Sequence, residues 1–209
     1  MTPRPRGNPR RPSNDAKRPQ LMIFCEGEQT EPVYLTHWYR LYRERVIVRI
    51  ADHRETSPME LVRAAIDQRA WDEREASRGR GDAFDEYWCV FDVDAHPNLR
   101  QALELAAARS INVALSNPCI ELWFIIHFDA RTAYLDRETA QRRSRQLLGF
   151  DKTPTLNSLE RLIENYEVAK RRAQALDRKH AGDGSPPRSN PSSDVWRTVD
   201  AIRGCHQGR

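Results

Sequence analysis

Short, almost wholly apolar runs alternate with stretches of helical periodicity over the first two-thirds of the chain. Residues 21–25 (LMIFC) have strand length and no polar position. Thr30, Glu31 and Pro32 follow in the order of an N-cap, a first-turn acid and a first-turn proline. They predict a helix to about residue 45, with Tyr34, Trp38, Leu41 and Tyr42 along one face. Residues 46–51 (VIVRIA) form a second strand, and a helix over 58–76 carries Leu61, Val62, Ala65 and Ile66. The glycines of SRGRGDAFDE end it. Residues 87–91 (YWCVF) and 111–115 are further strands, separated by a helix over 99–109 and followed by an apolar helical run over 119–128. Strands apolar on both faces, alternating with helices, predict an α/β fold: a mostly parallel four-stranded sheet flanked by helices.

Beyond residue 130 the pattern turns helical. Helices are predicted over 138–148 and over 155–179, the latter with Leu159, Leu162, Ile163, Tyr166, Ala169 and Ala173 at helical spacing. AGDGSPPRSNPSS, residues 181–193, reads as a loop. A last helix over 195–205 is opened by the cap candidates Ser193 and Asp194. The expected organisation is a basic arm (1–19), an α/β domain (20–130) and a helical extension packed on it (131–209).

Charge sharpens this division. Residues 1–20 hold Arg4, Arg6, Arg10, Arg11, Lys17 and Arg18 against the single acid Asp15, which leaves 28 basic and 29 acidic residues for the rest. With five prolines and no periodicity, the arm is expected to be disordered. It either touches phosphates through counterion release or is simply solvated. The near-neutral body shows no basic footprint of its own. No run of about 18 apolar residues predicts a membrane span, and the arm lacks the apolar stretch of a secretory signal. A cytoplasmic protein is expected. Cys25, Cys89, Cys119 and Cys205 have no zinc-site spacing, and the first two sit in apolar runs as core residues do.

The candidate chemistry lies where the strands end. In an open parallel sheet, ligands bind in the crevice outside the carboxyl ends of the strands. The first strand delivers Glu26 to that rim, and the third delivers Asp92 and Asp94, two residues apart and so on one face. A lone D-x-D also serves to cap a helix. Crowded carboxylates repel, and neither CEGEQTE nor VDAH contains Lys or Arg. A hard divalent cation, Mg2+ or Mn2+, is the economical counter-charge. Glu121 opens an apolar helix, where an acid suits the helix dipole as well as it suits a metal. His96, two residues after Asp94, is a further pocket candidate. Asn117, before Pro118, fits a turn. His127, a helical turn after Trp123, and the aromatic residues of ELWFIIHF read as core, and Glu28 as solvent-facing.

FCEGEQTEPVYL, YWCVFDVDAH and ALSNPCIELWFIIHF resemble the three signatures of the RloB family, over roughly residues 20–130. The resemblance implies a TOPRIM-like (Rossmannoid) fold, in proteins of bacterial restriction and abortive-infection loci. It implies Glu26 as the catalytic glutamate and Asp92 and Asp94 as the metal-binding pair. It also draws Glu31 and the 117–121 segment, with Asn117 and Glu121, into the pocket. The activity to expect is Mg2+- or Mn2+-dependent phosphodiester hydrolysis of DNA or RNA, tRNA included, by a nuclease subunit of an antiphage system. The resemblance also implies a neighbouring ATPase; the chain has no G-x-x-x-x-G-K-[ST] loop, so any ATP-driven sensing is expected from that separate subunit. An oligomer is compatible with all of this. The competing reading is a non-catalytic subunit that holds a nucleotide or metal. A topoisomerase or primase is disfavoured, because the chain has no room for their additional machinery.

Overall fold

The computed structural model describes residues 17–52, 57–93 and 98–205. Its first half runs β1 (Gln20–Cys25), α1 (Thr30–Tyr42), β2 (Ile47–Ile50), α2 (Pro58–Ser77), β3 (Glu86–Asp92), α3 (Leu99–Ala108), β4 (Asn112–Asn117) and α4 (Ile120–Ile125). Then come α5 (Arg137–Leu148), α6 (Leu156–Glu164), α7 (Tyr166–Gly182), β5 (Ser192–Ser193) and α8 (Val195–Ile202). The sheet order is β2-β1-β3-β4-β5, with the first four strands parallel.

The alternation of side chains along the strands sorts the interior into two cores. Leu21, Ile23 and Cys25 of β1 and Trp88 and Val90 of β3 face one side, where they pack with α1, α4 and the later helices. Met22 and Phe24, with Tyr87, Cys89 and Phe91, face the other, against Leu61, Val62 and Ala65 of α2 and Ala102 and Ala106 of α3. From β1 the chain crosses to β2 on one flank, and from β2 it returns past β1 to β3. Crossovers of one hand that run in opposite directions must cover opposite faces. So α1 lies on one face and α2 and α3 on the other. The reversal point is between β1 and β3, where Cys25 pairs with Val90.

The helices beyond residue 130 contribute Leu159, Leu162, Tyr166, Ala169, Ala173, Val199 and Ile202 to the same core as β1 and α1. Tyr166 is its polar hinge. The hydroxyl lies 2.8 Å from Asp200 Oδ1 and 3.0 Å from the Trp196 carbonyl, joining α7 to α8.

Four expectations need correction. The sheet has five strands, not four: Ser192 and Ser193, expected as loop, pair antiparallel with Asn117 and Ser116. A two-residue ladder carries no periodic signal, and it is held by backbone and hydroxyl groups, Ser116 Oγ lying 3.0 Å from Ser193 Oγ. The helix expected over 155–179 is two helices, broken at Asn165, whose amide donates to the Arg161 carbonyl at 2.9 Å. That bond gives a carbonyl at the helix end a side-chain donor. Thr30 does not cap α1; Gln29 holds the cap position without a side-chain bond, and Thr30 Oγ1 donates to the Lys152 carbonyl at 2.6 Å. Of the cap candidates for α8, Asp194 holds the cap position but makes no capping bond, because its carboxylate accepts from Arg188 Nε at 2.8 Å. Through residue 16 the basic arm lies outside the described residues. Lys17 pairs with Asp82 at 3.0 Å. No helix among the described residues is long and apolar enough to cross a membrane.

Replacing Tyr166 by Phe keeps the ring and deletes the hydroxyl that spans α7 and α8. The expected result is a loss of about 1–2 kcal/mol in denaturant unfolding. An unchanged midpoint would show that these contacts add no stability.

Candidate functional site

The reversal point of the sheet is where the acids gather. Past Cys25 the ladder continues for one residue, the Glu26 amide donating to the Val90 carbonyl at 2.9 Å. The chain then turns, and Glu26 Oε2 accepts from the Asp92 amide at 3.0 Å. A carboxylate from the end of β1 thus caps the end of β3. By strand parity Asp92 shares a face with Trp88 and Val90, the face of α1, α4 and α5. It is buried there, and Arg137 Nη2, from the first residue of α5, meets Asp92 Oδ2 at 2.8 Å.

Glu31, in the first turn of α1, is buried in the same place. It explains the glycine of the CEGE turn. A Cβ at Gly27 would lie 2.8 Å from Glu31 Cδ and closer still to its Oε2. Only a residue without a side chain lets the carboxylate lie against the turn, where it accepts from the backbone at Gly27. Glu121 comes from the first turn of α4, with the Cys119 thiol hydrogen-bonded to it. These groups line an open cleft of about 260 Å³ that includes Glu31, Asp92, Glu121, Arg137 and Lys152.

The electrostatics follow from this crowding. Burial raises the Glu31 pKa from 4.5 to about 7, with Glu121 and Glu26 adding to the rise and the backbone hydrogen bonds opposing it. Burial likewise raises the Asp92 pKa well above the usual carboxylate range, and Glu31 adds to the rise while Arg137 opposes it. Burial also pushes up the Cys25 thiol, again with Glu31 contributing.

Of the residues singled out in the sequence, the structure brings together Glu26, Glu31, Asp92 and Glu121. Glu26 forms the back of the site rather than its lining, turned onto the Asp92 amide. Asn117 stands apart: its amide donates to the Arg188 carbonyl at 2.9 Å, which is a loop contact. Asp94 and His96 lie outside the described residues. His127 is a core residue, with Nδ1 2.8 Å from the Trp123 carbonyl. Glu28 is exposed, at the cleft edge.

Two basic residues of the cleft have no signal beside the acids in sequence, whose own segments CEGEQTE and VDAH contain no Lys or Arg. Arg137 arrives from 45 positions away, and Lys152 sits on a loop tied to the β1–α1 turn by Thr30 and by Thr153, whose hydroxyl donates to Gln29 Oε1 at 2.7 Å. Nothing local marks Arg137 among its many arginine neighbours.

Whether this site suits a divalent ion has two sides. Among the described residues, no group of three or more His, Cys, Asp or Glu side chains is arranged to hold a metal. Yet the donors are all carboxylates, the ligands that hard cations prefer, and they are mutually destabilised by proximity. The two facts measure different things. Charge crowding is set by where the backbone places the groups, whereas ligand geometry depends on rotamers, and here Arg137 fixes that of Asp92. Carboxylate oxygens would suit Mg2+ or Mn2+, and Glu31, Asp92 and Glu121 are the residues that could hold one.

A family model described as RloB-like protein matches residues 21–202. The chain belongs to the RloB-like protein family. No curated protein matches it. In this RloB-like protein the match spans the helical region as well as the sheet, and so includes Arg137 and Lys152 with the carboxylates.

An acid whose pKa rises on folding opposes the fold once ionised. For Glu31 the penalty is absent below the unfolded value of about 4.5, grows with rising pH, and is complete above about 7. Glu31→Gln removes it. Relative to wild type, the variant is expected to gain roughly 3 kcal/mol between pH 4.5 and pH 8 in urea titrations. Parallel pH profiles for the two proteins would contradict the assignment. Gly27→Ala is expected to cost about 1–3 kcal/mol in wild type by overpacking, and much less in a Glu31→Ala background. An equal loss in both backgrounds would place the strain elsewhere.

Proposed function

We propose that this RloB-like protein is a metal-dependent phosphodiesterase of TOPRIM-like architecture, acting as the nuclease subunit of an antiphage defence system. One observation carries the reading: acids from β1, α1, β3 and α4 converge at the strand-order reversal, where open α/β sheets bind ligands. Glu31, Asp92 and Glu121 would hold Mg2+ or Mn2+, with Asp94 as a further ligand. When bound, such an ion supplies charge stabilisation at phosphate oxygens and lowers the pKa of a coordinated water.

The chain's own groups divide the remaining work. Glu26 positions Asp92 through its amide, and with a proton to accept or give it suits general acid–base duty. Glu31, poised near neutrality without metal, would give up its proton close to working pH as an ion binds. Arg137 and Lys152 supply positive charge for a phosphodiester at the cleft. DNA or RNA, tRNA included, fits that chemistry. Because the body is near neutral, we assign tight nucleic-acid capture to a partner, and ATP-driven sensing to a separate ATPase subunit.

A second reading has its own observation. Asp92 is paired with Arg137, and no described ligand group is complete, which suits a subunit that binds without cutting. Turnover separates the two readings. Labelled single- and double-stranded DNA and RNA, incubated with purified protein and Mg2+ or Mn2+, are expected to be cleaved. Glu26→Gln and Asp92→Asn are expected to lower the rate at least ~100-fold. Cleavage that survives both substitutions rejects the site, and metal binding without any turnover, alone or with the partner ATPase, favours the second reading.

A further inference from the structure

Arg137 enters the acidic cleft from a fixed backbone. It is the first residue of α5, and Asp136 before it caps that helix by accepting from the Thr139 amide at 2.8 Å. The side chain is only partly enclosed. It is 41% exposed, whereas the Asp92 side chain that it meets is 8% exposed. Its charge also bears on Cys119, beside the start of α4.

A guanidinium and a divalent ion make incompatible demands on Asp92. Both seek the same carboxylate, and as like charges they repel at short range. The surrounding acids Glu26, Glu31 and Glu121 remain whichever cation is present. Arginine is also the side chain whose planar fork matches a phosphate with two parallel hydrogen bonds, which the other basic residue of the cleft, Lys152, cannot do. A half-exposed guanidinium changes partner without first being freed from a dry interior.

Resting on the metal-dependent reading above, we propose that Arg137 is an exchangeable counter-cation. It pairs with Asp92 until a divalent ion takes that carboxylate, and then turns its guanidinium to the substrate phosphate. Arg137 thereby couples metal loading to phosphate binding. Without metal it shields the acids and is withheld from substrate; with metal it is released to the phosphate. No bond is made or broken in the exchange, only ion pairs.

Two titrations on the full-length protein test it. Calorimetry with Mg2+ reads metal affinity, and phosphorus NMR of inorganic phosphate on Mg2+-loaded protein reads phosphate affinity. Arg137→Gln is expected to bind Mg2+ several-fold more tightly, since its competitor is gone, and inorganic phosphate roughly tenfold more weakly. Arg137→Lys, which keeps the charge but not the fork, should bind Mg2+ as wild type does and phosphate at an intermediate strength. Opposite signs in one variant are the signature of exchange. A permanent structural partner of Asp92 predicts unchanged phosphate affinity, and a folding role predicts both affinities falling together with the melting temperature; either result overturns the proposal. Wild-type protein that binds no Mg2+ overturns the metal-dependent reading and this inference with it. Normal Mg2+ binding with phosphate affinity unmoved in Arg137→Gln overturns the exchange alone.

Discussion

The parallel pairing of β1 with β3 imposes a constraint that the rest of the molecule must meet. It brings the last residues of two apolar strands side by side, and with them Glu26 and Asp92, at the point where the chain has crossed once in each direction. Backbone pairing fixes this proximity regardless of what the side chains prefer. Glu26 meets part of the demand by accepting from the Asp92 amide, a bond that a neutral turn residue could not make as strongly. The remainder falls on groups from outside the sheet.

That makes the helices after residue 130 part of the site. They bury their apolar faces in the core that β1 and α1 share, and the same packing carries the first residue of α5 to Asp92. The loop before α6 holds Lys152 at the cleft through bonds to Thr30 and Gln29. Among the described residues, the cation that meets Asp92 comes from α5 and not from the sheet's own helices. Leaving a buried charge unpaired is among the most destabilising arrangements available to a protein. Sheet and helical region are therefore linked electrostatically as well as by packing.

How much of this the sequence disclosed depends on the range of the interaction. The strands were legible because burial on both faces leaves continuous apolar runs, as in YWCVF, and the carboxylates because they follow those runs directly. Gly27 stands between two acids in the sequence, but nothing there marks it as the space that the Glu31 carboxylate fills. Other features have no local signature. β5 is two serines paired through backbone and hydroxyl groups. Asn165 interrupts a periodic pattern that apolar spacing alone carries straight through. Arg137 is one arginine among several in its helix, and its partner is set by tertiary packing. Proximity of charges in a fold is a property of topology, and acidic segments read in isolation overstate their own deficit.

The balance at the cleft runs against stability. Glu31 is an acid in a buried position next to two others, and its backbone hydrogen bonds do not offset the rise in its pKa. A glutamine of the same shape could accept from the same amides without the charge. Asp92 repeats the pattern: even with Arg137 beside it, burial and neighbouring acids prevail. Such placements work against the fold at neutral pH unless a second cation joins them. Local rules broken together, at a crevice where the topology favours a ligand, are what the proposed binding role would require and stability alone would not. The Gly27 gap, the Glu26 cap and the Arg137 pair each fit that arrangement, and none is required by the hydrophobic cores on either side of the sheet.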